Sequence, residues 1–165
     1  VRRIAAAIAV CALAGCPVAA LAAPQTSIPH ANHLWATIDE CQPATSGAIV
    51  GVRASMPGTG DASEEMFMRF TLQYRAPAHR HWHKLAGSRA FVNVGSAAYV
   101  SRQAGFNFRL SATTAPGTVL RGVVDFQWRR GASIAQSVLR FTSAGRRPSA
   151  GAQPSGYSAA RCSVS

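Results

Sequence analysis

The sequence predicts an all-β domain: an antiparallel β-sandwich of about seven or eight strands, with a small closed β-barrel as the alternative in the same class. Three observations carry this. Several segments alternate strictly between apolar and polar residues, the period of a strand with one face in a core. Clusters of Gly, Pro, Ser and Asp separate these segments at short intervals. No stretch beyond the N-terminal region has a sustained helical period, and no fixed internal repeat is present. A chain of 165 residues is long enough for one domain with a full core.

The strongest strand signal covers residues 119–129. Leu120, Val124, Phe126 and Trp128 fall on one side, with Arg121, Asp125, Gln127 and Arg129 on the other. Phe, Trp and Val suit a half-buried pleated surface. Gly122 interrupts the apolar row, which predicts a bulge or a close crossing of another strand. Residues 66–75 are the clearest partner: Met66, Met68, Phe70, Leu72 and Tyr74 oppose Arg69, Thr71, Gln73 and Arg75.

The remaining elements follow in chain order. Residues 34–41 form a first strand, ended by Pro43, and 47–56 a second, with Val50, Val52, Ala54 and Met56 on one side. Pro57-Gly58-Thr59-Gly60-Asp61 is a turn cluster, and Asp61 or Ser63 caps a short turn after it. Residues 76–88 read as a basic, histidine-rich connection containing Trp82. Short strands are expected over 90–94 and 98–102. Residues 106–113 alternate again, with Phe106, Phe108 and Leu110 on one side, and Pro116-Gly117 turns the chain into 119–129. Residues 134–142 follow, with Leu139 and Phe141 as the inward pair. Residues 143–156 read as a flexible loop, and 157–164 return to the body of the domain.

The N-terminal region predicts export. Arg2-Arg3 precede an almost wholly apolar run, and Ala20-Leu21-Ala22 fits a small-x-small cleavage pattern. Residues 1–23 are therefore expected to be a signal peptide, followed by an unstructured leader over 24–33 and one domain over 34–165. Leu13-Ala14-Gly15-Cys16 also fits a bacterial lipobox, so lipidation at Cys16 and membrane anchoring are the alternative to a freely secreted product. An exported chain meets an oxidising compartment, where the remaining pair, Cys41 and Cys162, reads as a disulfide tying the first strand to the tail.

The order of features resembles the secreted immunoglobulin-like or fibronectin-III-like modules of high-GC Gram-positive bacteria. The residues that carry the resemblance are Cys41, Met66-Phe67-Met68-Arg69-Phe70, Phe106-Asn107-Phe108-Arg109, Pro116-Gly117, Val124-Asp125-Phe126-Gln127-Trp128 and Cys162. It covers roughly residues 34–164, as a pattern without a diagnostic motif. Trp128 lies on a later strand than the buried Trp of true immunoglobulin domains, and the Tyr two residues before the second Cys is missing. The resemblance implies an immunoglobulin-like sandwich acting outside the cell, commonly in adhesion or binding, and it transfers no functional residue.

Composition bounds the chemistry. Lys and Arg total 17 against 6 Asp and Glu, giving a net charge of +11, and Lys84 is the sole lysine. Arginine-rich codon usage accounts for part of this. The excess still favours an anionic partner. Arg69, Arg75, Arg109, Arg121, Arg129 and Arg140 fall on expected polar sides, forming a basic face if their strands share a sheet. Anionic cell-envelope polymers, or another surface protein, are the expected partners; nucleic acid is not expected, because no basic patch interleaved with exposed aromatics is legible.

Catalytic signals are weak. Asp39 and Glu40 should point to opposite sides of a strand, and Glu64-Glu65 share a turn, so no carboxylate pair facing across a cleft is expected. No Gly-x-Ser-x-Gly elbow and no phosphate-binding glycine loop occur. His79, His81 and His83 would share one side of an extended segment and gather a divalent metal. A solvated basic loop is the simpler reading, and no cofactor is expected. The expected function is a non-catalytic, secreted or cell-surface binding module. The alternative is a small extracellular enzyme, inhibitor or metal-binding protein with its site in 76–88.

Overall fold

The computed structural model describes residues 28, 30–42, 49–110, 115–146 and 151–164. The expected signal peptide, Cys16, most of the leader and residues 147–150 of the expected loop lie outside them. Among the described residues no helix is long and apolar enough to cross a membrane.

Strict alternation becomes strand. The elements are β1 (Trp35–Gln42), β2 (Ile49–Pro57), β3 (Glu65–Arg75), β4 (His83–Ser96), β5 (Ser101–Arg109), β6 (Val119–Arg130), β7 (Ser133–Phe141) and β8 (Cys162–Ser163). A three-stranded sheet runs β1-β2-β5 and a five-stranded sheet runs β4-β3-β6-β7, with β8 added beside β6. All strand pairings are antiparallel. First, second and fifth strands facing fourth, third, sixth and seventh is an immunoglobulin-like order, with an extra strand beside the third. The sheets remain two layers and do not close into a barrel.

The core lies between the sheets. Ile38, Val50, Val52, Ala54 and Met56 project from the small sheet, against Met66, Met68, Phe70, Leu72, Leu120, Val124, Phe126 and Trp128 from the large one. The buried indole of Trp128 donates to the carbonyl of Pro57 at 3.0 Å, so its N–H is satisfied. Of the two expectations for Gly122, close crossing is correct. The β3–β6 register is unbroken there, while a Cβ at Gly122 would sit 2.6 Å from Cγ2 of Thr142 and 2.9 Å from both γ-methyls of Val52.

Cys41 and Cys162 form a disulfide with Cα atoms 5.6 Å apart, joining β1 of one sheet to β8 of the other across a sequence separation of 121. The tail reaches this position by packing on the free edge of β1: Ala159 bridges Ile38, and Gln153 bridges Glu40. Part of the expected flexible loop is therefore docked, with Ala152 buried.

Several boundaries differ from the sequence reading. The leader is not wholly irregular: Ala31–His33 form one 3-10 turn, and Ile28 packs against the core. The 76–88 connection is shorter, because β4 starts at His83. An irregularity between Thr71 and Gln73 sets Arg89 and Lys84 opposite them, so 85–88 bulge out of the β3–β4 register. That insertion hides the alternation from a period-two search. Residues 97–100 are turns and bends, and only Ser101 and Arg102 of the expected 98–102 piece belong to a strand, the start of β5.

The inward assignment of Leu139 and Phe141 is wrong. They pair with Asp125 and Val123, on the outward face, and are 52% and 47% exposed. Val138, opposite Phe126, is the residue that turns inward. β7 is an edge strand, and its composition carries apolar residues on both faces, so composition does not reveal its parity.

Candidate anion-binding face

The outward face of the large sheet is built from the polar rows of β3 and β6. Cross-strand pairs Arg69–Asp125, Gln73–Arg121 and Glu65–Arg129 fix the register. Arg69 forms an ion pair with Asp125. The Gln127 amide donates to the same carboxylate oxygen at 2.7 Å, and Arg129 donates to the Gln127 carbonyl oxygen through Nη2 at 2.6 Å. This chain of contacts satisfies buried Gln127 and holds the Arg129 side chain in place. Arg69 is neutralised; Arg121 and Arg129 have no carboxylate partner among the described residues.

Aromatic rings lie between these cations, correcting the sequence expectation that the basic residues would not be interleaved with aromatics. At one end of β6, Phe67 and Phe91 stack with centroids 5.1 Å apart, and the Arg129 guanidinium lies 5.0 Å and 4.9 Å from the two rings. At the other end, Arg121 lies 4.2 Å from the Trp82 ring and 4.0 Å from Phe141. Arg75 and Arg161 also approach Trp82, at 5.2 Å and 5.7 Å. Arg121 Nε donates to Gln73 at 2.9 Å. Partial burial, then repulsion from Arg161 and Arg75, lowers the pKa of the Arg121 guanidinium below the ordinary arginine range. The eight residue steps of β-strand from Arg121 to Arg129 span about 27 Å. Between the two clusters is a shallow depression of about 290 Å³, lined by Arg69, Thr71, Gln73, Lys84, Asp125 and Leu139 among others.

The expected arginine set therefore divides. Arg69, Arg75, Arg121 and Arg129 share the large sheet's outward face. Arg109 does not: its strand, β5, belongs to the small sheet, where it pairs with Ile49. Arg140 pairs with Val124, an inward position of β6, and is exposed because β7 ends the sheet. Trp82 enters the sequence reading only as part of the 76–88 connection, and Arg161 does not enter it. Trp82 lies in the connection just before β4. Arg161 is placed by its neighbour Cys162, which pairs with Leu120 and so sets Arg161 near Arg121.

The three histidines do not converge. Residues 77–82 turn and bend instead of extending; His79 and His83 rings are 6.0 Å apart, edge to face. No group of three His, Cys, Asp or Glu side chains forms a metal site among the described residues.

Asp39 and Glu40 are also placed differently from the sequence reading. A register shift between Ile38 and Glu40 puts both carboxylates on the side of Gly51, whose added Cβ would meet Asp39 Oδ1 at 2.7 Å and Glu40 Cβ at 2.8 Å. Arg53 pairs with Asp39 at 2.8 Å, and the Asn107 amide donates to Glu40 at 2.6 Å. Both carboxylates are buried on one small patch with their partners, rather than facing each other across a cleft. A cavity of about 430 Å³ between Leu85–Gly87 and residues 106–110, at the end of β5 and just beyond it, contains neither histidine nor carboxylate in its lining.

No family model and no curated protein matches the chain. Among solved structures, a glycosyl hydrolase family 2 member from Bacteroides cellulosilyticus DSM 14838 is similar at 10% identity and a TM-score of 0.38, covering 68% of this chain. This chain spans only 15% of that protein. A likeness of this extent transfers no activity.

Proposed function

We propose that the protein is a non-catalytic binding module, exported to the cell surface or beyond, that holds an extended anionic polymer of the cell envelope along β6. The carrying observation is the pair of arginine–aromatic clusters at Arg121 and Arg129, joined by a shallow depression of mixed lining. Guanidiniums resting on aromatic faces are pre-positioned and partly desolvated, so less ordering entropy is lost on binding. The disulfide suits an oxidising compartment, and the basic composition draws a polyanion to the surface.

The test is co-sedimentation of the disulfide-intact protein with isolated cell wall across a salt series. Binding should weaken with salt and fall with Arg121→Ser and Arg129→Ser. Arg69→Ser should cost less charge attraction, because Asp125 already compensates Arg69, and Arg109→Ser, on the other sheet, should cost least. Salt-independent binding, or losses that ignore which sheet carries the substitution, would remove this reading.

A further inference from the structure

We infer that Arg75, Arg121 and Arg161, gathered around Trp82, form a subsite for a phosphate group, so that the polymer held by this face is phosphodiester-linked. The inference rests on the reading of the large sheet as an anion-binding face and names the chemistry of its anchor.

Three separate chain segments deliver the guanidiniums to one indole: the end of β3, the start of β6, and the residue before β8. Their centres lie 5.2, 4.2 and 5.7 Å from the Trp82 ring centroid. Among the described residues, no carboxylate pairs with any of them, whereas Arg53 and Arg69 each have one and Arg130 has two. A cluster of like charges held together without a counter-charge is a standing cost, and a bound oxyanion removes it. Arg121 is also oriented: its Nε is engaged by Gln73 and its Cζ lies 4.2 and 4.0 Å from the rings of Trp82 and Phe141, which leaves the terminal nitrogens for a ligand.

The number of arginines selects the anion. A planar carboxylate is matched by one bidentate guanidinium fork. A phosphodiester shares its charge over two non-bridging oxygens on a tetrahedral phosphorus, whose acceptor directions are not confined to one plane, so it can accept from guanidiniums approaching from different segments. Trp82 holds the cations together and supplies a spectroscopic reporter at the site. Nucleic acid shares the phosphodiester, but its recognition as a single strand requires bases stacked on accessible rings. Here Phe91 and Phe141 are each 47% exposed but already carry the Arg129 and Arg121 guanidiniums, and the proposed export favours an envelope polymer, so the experiment separates the two.

The experiment compares binding of poly(glycerol phosphate) and polygalacturonate by the whole disulfide-bonded protein at one ionic strength, read by calorimetry and tryptophan fluorescence. The phosphate polymer should bind at least about tenfold more tightly, the worth of one charge-assisted hydrogen bond. Inorganic phosphate should compete with it and acetate should not. Arg161→Ser and Arg75→Ser should each erase the preference while leaving the weaker binding shared by both polymers. Trp82→Phe should abolish the fluorescence change, and a change that persists would overturn binding beside Trp82. Equal affinity of the wild type for the two polymers, or a preference that survives both arginine substitutions, overturns the phosphate subsite while leaving the anion-binding face standing. Failure of both polymers to bind overturns the face itself. Tighter binding of an oligodeoxythymidylate than of either polymer, lost on Phe67→Ala or Phe91→Ala, overturns the envelope polymer in favour of nucleic acid.

Discussion

Gly122→Ala tests how the sandwich is packed. The glycine is in the middle of β6, opposite Leu72, and its φ is not among the positive values found at turn glycines such as Gly117 and Gly131. Backbone conformation therefore does not demand glycine here; space does. The new methyl would lie 2.6 Å from Thr142 Cγ2 and 2.9 Å from two carbons of Val52, against about 3.5–4.0 Å for comfortable carbon contact. Both neighbours are β-branched and stiff about χ1. Thr142 is further fixed: its Oγ1 accepts from the Gly122 amide at 3.1 Å and donates to the carbonyl of Ala160 at 2.7 Å. Relief must come from moving Val52, and with it the facing sheet. Overpacking of this kind costs about 1–3 kcal/mol, set against about 0.4–1 kcal/mol gained by restricting the unfolded chain. The expected net loss is about 1–2 kcal/mol, read as a lower urea midpoint with an unchanged m-value under oxidising conditions. Val52→Ala removes two of the three close contacts, so in the double variant the second substitution should cost less than it does alone. Gly122→Ala at or above wild-type stability, or strictly additive losses, would refute the close approach of the two sheets at this point.

Other outcomes follow from the same structure. Phe126 is fully buried between the sheets, and Phe126→Ala should cost about 3–5 kcal/mol in denaturant unfolding. Replacing Cys41 and Cys162 together by Ala should cost on the order of 5 kcal/mol on the chain-entropy model, given a separation of 121 residues; a loss well below half of this would show that the tail's docking on β1 does the same work without the bond. Asp61 accepts hydrogen bonds from the Ser63 hydroxyl and amide and from Arg130, which hold its pKa below the usual aspartate range. Its contribution to stability is thus fully present above about pH 4, the ordinary aspartate value, and is lost as pH falls through the lowered native value. The stability gap between wild type and Asp61→Asn should accordingly be open at neutral pH and close in strong acid, as measured by urea unfolding across that range. A gap that widened on acidification would contradict the hydrogen-bonded turn.

Much of the core was legible in the sequence because β3 and β6 are regular. Neither is interrupted in its pairing with the other, so every second residue faces the same way and the period survives along the whole strand. The basic face was legible only in part. Arg69, Arg75, Arg121 and Arg129 follow from the parity of those two strands. Arg109 and Arg140 were misplaced because parity says nothing about which sheet a strand joins or where an edge strand's register begins. Asp39 and Glu40 show a related failure: a one-residue shift in β1 sends neighbouring side chains to the same side.

The sequence by itself determined the all-β class, the inward rows of the two central strands, the positive charge and the pairing of Cys41 with Cys162. These depend on local period, composition and a count of two cysteines beyond the N-terminal apolar segment. Only the tertiary structure decided that Arg161, Arg75 and Arg121 would meet at Trp82. Their meeting depends on β8 docking beside the start of β6, on β3 lying on its other side, and on the turn before β4 folding back over both. Such contacts are fixed by which strand edges pair across long sequence separations, and no local pattern records that choice.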